Sequence, residues 1–170
     1  MSPGSVDELL VVWIIRIALL AYFIALAEWI IAPQSKRARI PWTIGAVACL
    51  THIALAMHFQ HHWSNAAAFT ETARQTREII GVDFGGGIYI NYLFAIVWLA
   101  DALWWWVAPA ARASRRKWLT WLLHGFLAFI IFNATVVFKT GPLRWTALAA
   151  CAALLVIIGV SVYRGRPKLV

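Results

Sequence analysis

Apolar residues in this chain fall in five long blocks, at 9–31, 40–59, 88–108, 118–138 and 143–163, separated by short polar stretches. A helix rises about 1.5 Å per residue, so crossing a hydrocarbon core of about 30 Å takes about 20 residues. Every block meets that length. Each is also about twice as long as a tilted membrane strand and lacks strict alternation, which excludes a barrel. The pattern predicts an all-α polytopic membrane protein: five transmembrane helices in one domain over residues 1–170. Only the connection at 60–87 is long enough to carry structure of its own. Its segment 64–80 reads as a short extra helix with Phe69, Ala73, Ile79 and Ile80 on a narrow apolar side, ended by Gly81. Gly85, Gly86 and Gly87 then permit either a tight turn, the favoured reading, or close approach to a ligand. They are not a phosphate loop, since no strand precedes them and no Lys-Ser/Thr pair follows.

Composition agrees. The chain is 62% hydrophobic and 13% charged, with a mean hydropathy of +0.74, against about half apolar for a soluble domain. Eleven Trp, nine Phe and four Tyr need a packed core or lipid, which excludes disorder. Asp7 and Glu8 stand where a cleaved signal peptide carries basic residues, and Arg16 interrupts the apolar block, so the first helix is expected to stay in the mature protein.

The chain has 15 Lys and Arg against 7 acids, a formal charge of +8. In a soluble protein this would suggest nucleic acid; here it follows the spans. Lys36, Arg37, Arg39, Arg112, Arg115, Arg116, Lys117, Arg164, Arg166 and Lys168 fall on one side, whereas Arg74, Arg77, Lys139 and Arg144 fall on the other. This asymmetry predicts an outer N-terminus and a cytoplasmic C-terminus in a bacterial inner membrane. Anionic headgroups at the cytoplasmic face are then the expected partner of the basic rows, with no role for nucleic acid.

Ionisable groups at membrane depth are costly unless paired, so they carry most of the functional information. Helix position puts His52, Asp101 and His124 at similar heights, an arrangement expected to form a hydrogen-bonded relay, a cofactor site or a helix-locking pair. Nearer the outer surface, His58, His61 and His62 have i, i+3 and i, i+4 spacing, so on a continuous helix two imidazoles would share a face and could hold one metal ion. The spacing His58-x-x-His61-His62 resembles one histidine box of the membrane di-iron desaturases and hydroxylases. Those enzymes use several boxes, whereas this chain has five histidines in all, so a complete site of that kind does not assemble from it. Arg16, Asn91 and Asn133 are further polar candidates for the outer layer. Cys49 and Cys151 read as small apolar fillers, and no serine has a base and an orienting acid beside it.

Three functions follow as expectations. The first is a small membrane subunit with a histidine-based site for iron, copper or zinc, or, through His52 and His124, for haem; a redox role would suit either. The second is an accessory or scaffold subunit packing against other membrane subunits or copies of itself. The third is a small oligomeric transporter.

Overall fold

The computed structural model describes residues 5–32, 36–139 and 141–165. Arg166 and Lys168, counted above among the basic residues, lie outside them. The described chain is helical: α1 (Val6–Ile31), α2 (Arg39–Phe59), α3 (Asn65–Ile80), α4 (Gly87–Val107), α5 (Pro109–Ala113), α6 (Lys117–Phe132), a π-helical turn (Asn133–Val137) and α7 (Pro142–Gly165). Five helices are long and apolar enough to cross a membrane, the fourth being α6 with its π turn.

Local chemistry sets the helix ends. Ser5 caps α1 by accepting the Glu8 N–H at 3.3 Å, and Asp7 and Glu8 place negative charge in its first turn. Ser64 caps α3 in the same way from Ala67, and Gly81, at φ 76°, ends it in the left-handed region. Pro109 starts α5, where its missing N–H costs no helical bond.

The core lies between α1, α2, α4 and α6. Small residues on α1 (Ala18, Ala25) and α2 (Ala46, Ala48, Cys49) bring those backbones together, and Tyr22, Trp42, Phe94, Trp98, Leu127 and Ile131 fill the remaining space. In lipid, where apolar residues gain little by leaving the solvent, such close packing is what holds helices together. Gly45 is part of it: a Cβ there would fall 2.4 Å from the Trp98 ring. Almost none of α7 is buried; it rests on α1 and the π turn.

At one end of the bundle α3 packs against α4. Tyr92 donates to Asn65 Oδ1 at 3.0 Å, and Gly85 passes so near α3 that a Cβ would sit 2.6 Å from the Phe69 carbonyl oxygen. Gly85 and Gly86 form the turn that leads into α4, and Gly85 alone of the three approaches another backbone. The opposite end carries Lys36, Arg39, Arg112 and Arg115 and is called the basic end below.

Two features depart from the sequence pattern. The chain does not simply leave the membrane at Pro109 but makes the extra turn α5. The fourth span is not uniform either, because Asn133–Val137 widens into a π turn.

Candidate functional site

The site at the basic end is built by the break between α4 and α5. Ala108, at φ −140°, redirects the backbone and Pro109 restarts the helix, so that Arg112 and Arg115 fold back beneath the last turns of α4. There they meet Asp101, whose side chain is 1% exposed. Arg112 donates from Nε at 3.2 Å to each carboxylate oxygen and from a terminal nitrogen at 2.8 Å; Arg115 forms a second ion pair with the same carboxylate. Trp42 adds an indole N–H from α2 at 3.0 Å. One carboxylate thus ties α2, α4, α5 and the α5–α6 turn. The two guanidinium groups also have further contacts: Arg112 lies 3.7 Å from the centre of the Trp105 ring, and Arg115 Nε donates to Thr120 at 2.9 Å. Burial pulls the Arg112 guanidinium below its usual pKa and Asp101 opposes this; an arginine remains charged throughout.

In front of this node is a cavity of about 330 Å³. Its walls include Trp29, Trp42, Trp105 and His124, and its cations are Lys36, Arg39, Arg112 and Arg115. Arg39 stacks on Trp106 with 3.8 Å to the ring centre, and Trp106 is itself held by Thr43. The His124 ring stacks on Trp29 at 4.8 Å and tilts against Trp42 at 5.3 Å; its buried Nδ1 has no hydrogen-bond partner among the described residues. Four cations against the single carboxylate behind them leave the cavity strongly positive. Aromatic walls lower the local dielectric, which strengthens that field. Such a place suits an anion.

The expected relay of His52, Asp101 and His124 is not formed. Asp101 bonds to Trp42 and two arginines, and no imaginary tautomer-fixing role for a histidine is needed to satisfy it. His52 lies ten residues beyond Trp42 on α2, about 15 Å along the axis. Its Nδ1 is 2.9 Å from the Val11 carbonyl, an acceptor only, so Nδ1 carries the proton and His52 ties α2 to α1. This separation also breaks the haem pairing of His52 with His124. Only His124 reaches the cavity.

The outer histidines are not on one helical face either. α2 ends at Phe59, and His62 and Trp63 take left-handed φ values of 48° and 61°, which turns His61 and His62 off the helix. His58 Nδ1 accepts the Trp63 indole N–H at 3.2 Å, occupying one of its two possible ligand atoms. Among the described residues, no three His, Cys, Asp or Glu side chains converge as a metal site. Asn91 is exposed, and Asn133 donates to the Phe129 carbonyl at 2.8 Å within its own helix. Arg16 stacks on Trp13 at 4.8 Å and lines a separate groove.

Sequence reasoning read Lys36, Arg39, Arg112 and Arg115 as topology markers only. The signal that could have joined them was a buried aspartate eight residues before a proline, with arginines three and six residues after it. No protein-family model, curated protein or solved structure matches the chain.

Proposed function

We propose that this integral membrane protein binds an anionic lipid headgroup in the cavity at its basic end. One observation carries the reading: four cationic side chains, two of them held from behind by the buried Asp101 carboxylate, line an aromatic-walled cavity of about 330 Å³, near the lower bound for small-molecule sites. Arg112 and Arg115 are held by Asp101, leaving Lys36 and Arg39 at the mouth as the groups that recruit the phosphate. The aromatic surfaces would pack the glycerol and the first methylenes.

The distribution of basic residues supports a cytoplasmic opening, an outer N-terminus and residence in a bacterial cytoplasmic membrane. Cytoplasmic-leaflet lipids supply the anionic headgroups such a cavity would take. Binding of this kind suits an accessory subunit, which reads the lipid around a larger complex, as well as a small lipid carrier.

The test is native mass spectrometry of the purified protein with short-chain phosphatidylglycerol or phosphatidylcholine. The reading expects retention of the anionic lipid and a loss of at least about tenfold in the double variant Lys36→Gln/Arg39→Gln. Equal retention of both lipids, or no effect of the double variant, would refute it.

A metal role for the outer histidines is a second reading, favoured by one observation. The Glu71 carboxyl is held down mainly by hydrogen bonds from Arg74 and least by the charge of His61, so His61 and Glu71 are two candidate ligands from the α2–α3 turn and α3, with Glu71 already shared with Arg74 and Gln75. Another chain would have to complete the set. Elemental analysis of untagged protein tests this: a transition metal bound per chain and lost in His61→Ala supports it, and a metal-free protein in its native complex refutes it.

A further inference from the structure

A second cavity, of about 410 Å³, lies between α1 and α7 and is separate from the site at the basic end. Arg16 is its one charged lining residue; Leu19, Leu20, Phe23, Ala147 and Ala150 make an apolar trough beneath it. Arg16 is ten residues from the start of α1, about 15 Å along its axis. α1 has 26 residues and so spans about 39 Å, against a hydrocarbon core of about 30 Å. The Arg16 backbone therefore lies inside the apolar slab, and the side chain must reach back towards the interface. It does so against Trp13, with 4.8 Å to the ring centre, and no carboxylate among the described residues pairs with it.

Two other observations fall at this place. Thr135, in the π turn, lines the trough, and π turns interrupt helices most often at functional positions. The first turn of α7, at Pro142 and Leu143, lines it too, so the positive end of a 24-residue helix faces the same space as Arg16. From Arg16 to Phe23 and from Pro142 to Ala150 both walls run about 10–12 Å along the helix axes, long enough to hold much of one acyl chain, which extends about 15 Å in a leaflet.

We infer that this trough is a binding site for an anionic phospholipid of the leaflet at the α3 end, independent of the site proposed above. Its phosphate pairs with the Arg16 guanidinium, which forms the parallel hydrogen bonds that suit such an oxyanion. One acyl chain lies in the trough over Ala147 and Ala150. A neutral occupant such as a quinone would fill the trough and leave Arg16 uncompensated.

The experiment uses the full chain carrying Lys36→Gln/Arg39→Gln, so that the site at the basic end does not contribute. The chain is placed in nanodiscs containing phosphatidylglycerol and phosphatidylcholine of identical acyl chains, and lipids retained after gentle ejection are counted by native mass spectrometry. One phosphatidylglycerol per chain is expected, preferred at least about tenfold. Arg16→Gln should abolish the preference and Arg16→Lys should keep most of it. Ala150→Leu should reduce retention of both lipids, because it fills the trough without changing charge. A preference that survives Arg16→Gln, a retention unchanged by Ala150→Leu, or co-purification of a quinone or a free fatty acid in the trough would overturn the inference.

Discussion

Replacing Asp101 with Asn keeps the shape of the side chain and removes its charge. The carboxylate is 1% exposed, and its partners Arg112 and Arg115 are 12% and 6% exposed. One of its two acceptor oxygens becomes an NH2 group that points at a guanidinium donor. Removing one member of a buried ion pair costs about 3–5 kcal/mol, because the remaining charge is stranded. Here two cations are stranded, but they border a cavity that water can enter, so the lower bound of about 3 kcal/mol is expected. That is a rise of roughly a hundredfold in the unfolded fraction, at about 1.4 kcal/mol per decade. The assay is reversible unfolding in mixed micelles with increasing SDS. If the arginines are held for an anion, phosphate added to Asp101→Asn should bind the freed guanidiniums and restore up to about 2.7 kcal/mol at a hundred times its dissociation constant. The triple variant Asp101→Leu/Arg112→Met/Arg115→Met should fold with near-normal stability and bind no anion, since an apolar replacement of the whole node strands nothing. Unchanged stability in Asp101→Asn, or a triple variant as unstable as the single one, would refute the charge argument.

Three further outcomes test the packing and the α3 end. Gly45→Ala should destabilise by up to about 2 kcal/mol, since overpacking of about 1–3 kcal/mol outweighs a helix-propensity gain of about 1. Trp98→Phe should suppress that loss in a double-mutant cycle, because the clash is with the Trp98 ring and its buried indole N–H has no partner among the described residues to lose; zero coupling would contradict this. Gly85→Ala should loosen α3 by about 1–3 kcal/mol, as its Cβ meets both the Phe69 ring and the Phe69 carbonyl oxygen, and a ring rotation relieves only the first, which is read as faster amide exchange in 65–80. Hydrogen bonds from Arg74 hold the Glu71 carboxyl at about 2, below its ordinary 4.5. Its contribution is therefore complete above about pH 4.5 and is lost as pH falls towards 2; α3 protection, corrected for intrinsic exchange, should follow that course and lose its dependence in Arg74→Gln.

The five membrane-length helices could be read from the sequence because length and apolarity alone decide them, and neighbouring residues do not change the answer. The site could not be read in the same way. Asp101 was recognisable as a buried charge that needed compensation, and histidines were chosen as its partners because they lay at the same estimated depth on other helices. The true partners lie 11 and 14 positions further on, beyond a proline that reads as an exit from the membrane. A single turn, α5, reverses that exit, and five residues give too weak a periodicity to announce it. The shared helical face expected of His58, His61 and His62 is absent for a related reason. Their spacing has meaning only on a continuous helix, and the left-handed backbone at His62 and Trp63 carries no glycine or proline to mark it.

The same logic explains why a charge can serve two purposes at the basic end. A basic residue placed to fix topology needs only to lie beyond the membrane, and any exposed position would serve. Arg112 and Arg115 instead turn inward, surrender most of their solvent and share one carboxylate. Desolvating two guanidiniums for one carboxylate is poor economy for stability alone, since an apolar node would hold the four segments with no stranded charge. The surplus positive charge faces the cavity, where Lys36 and Arg39 add to it. On the proposed reading, an incoming anion would supply the one negative charge that the node of two guanidiniums and one carboxylate lacks.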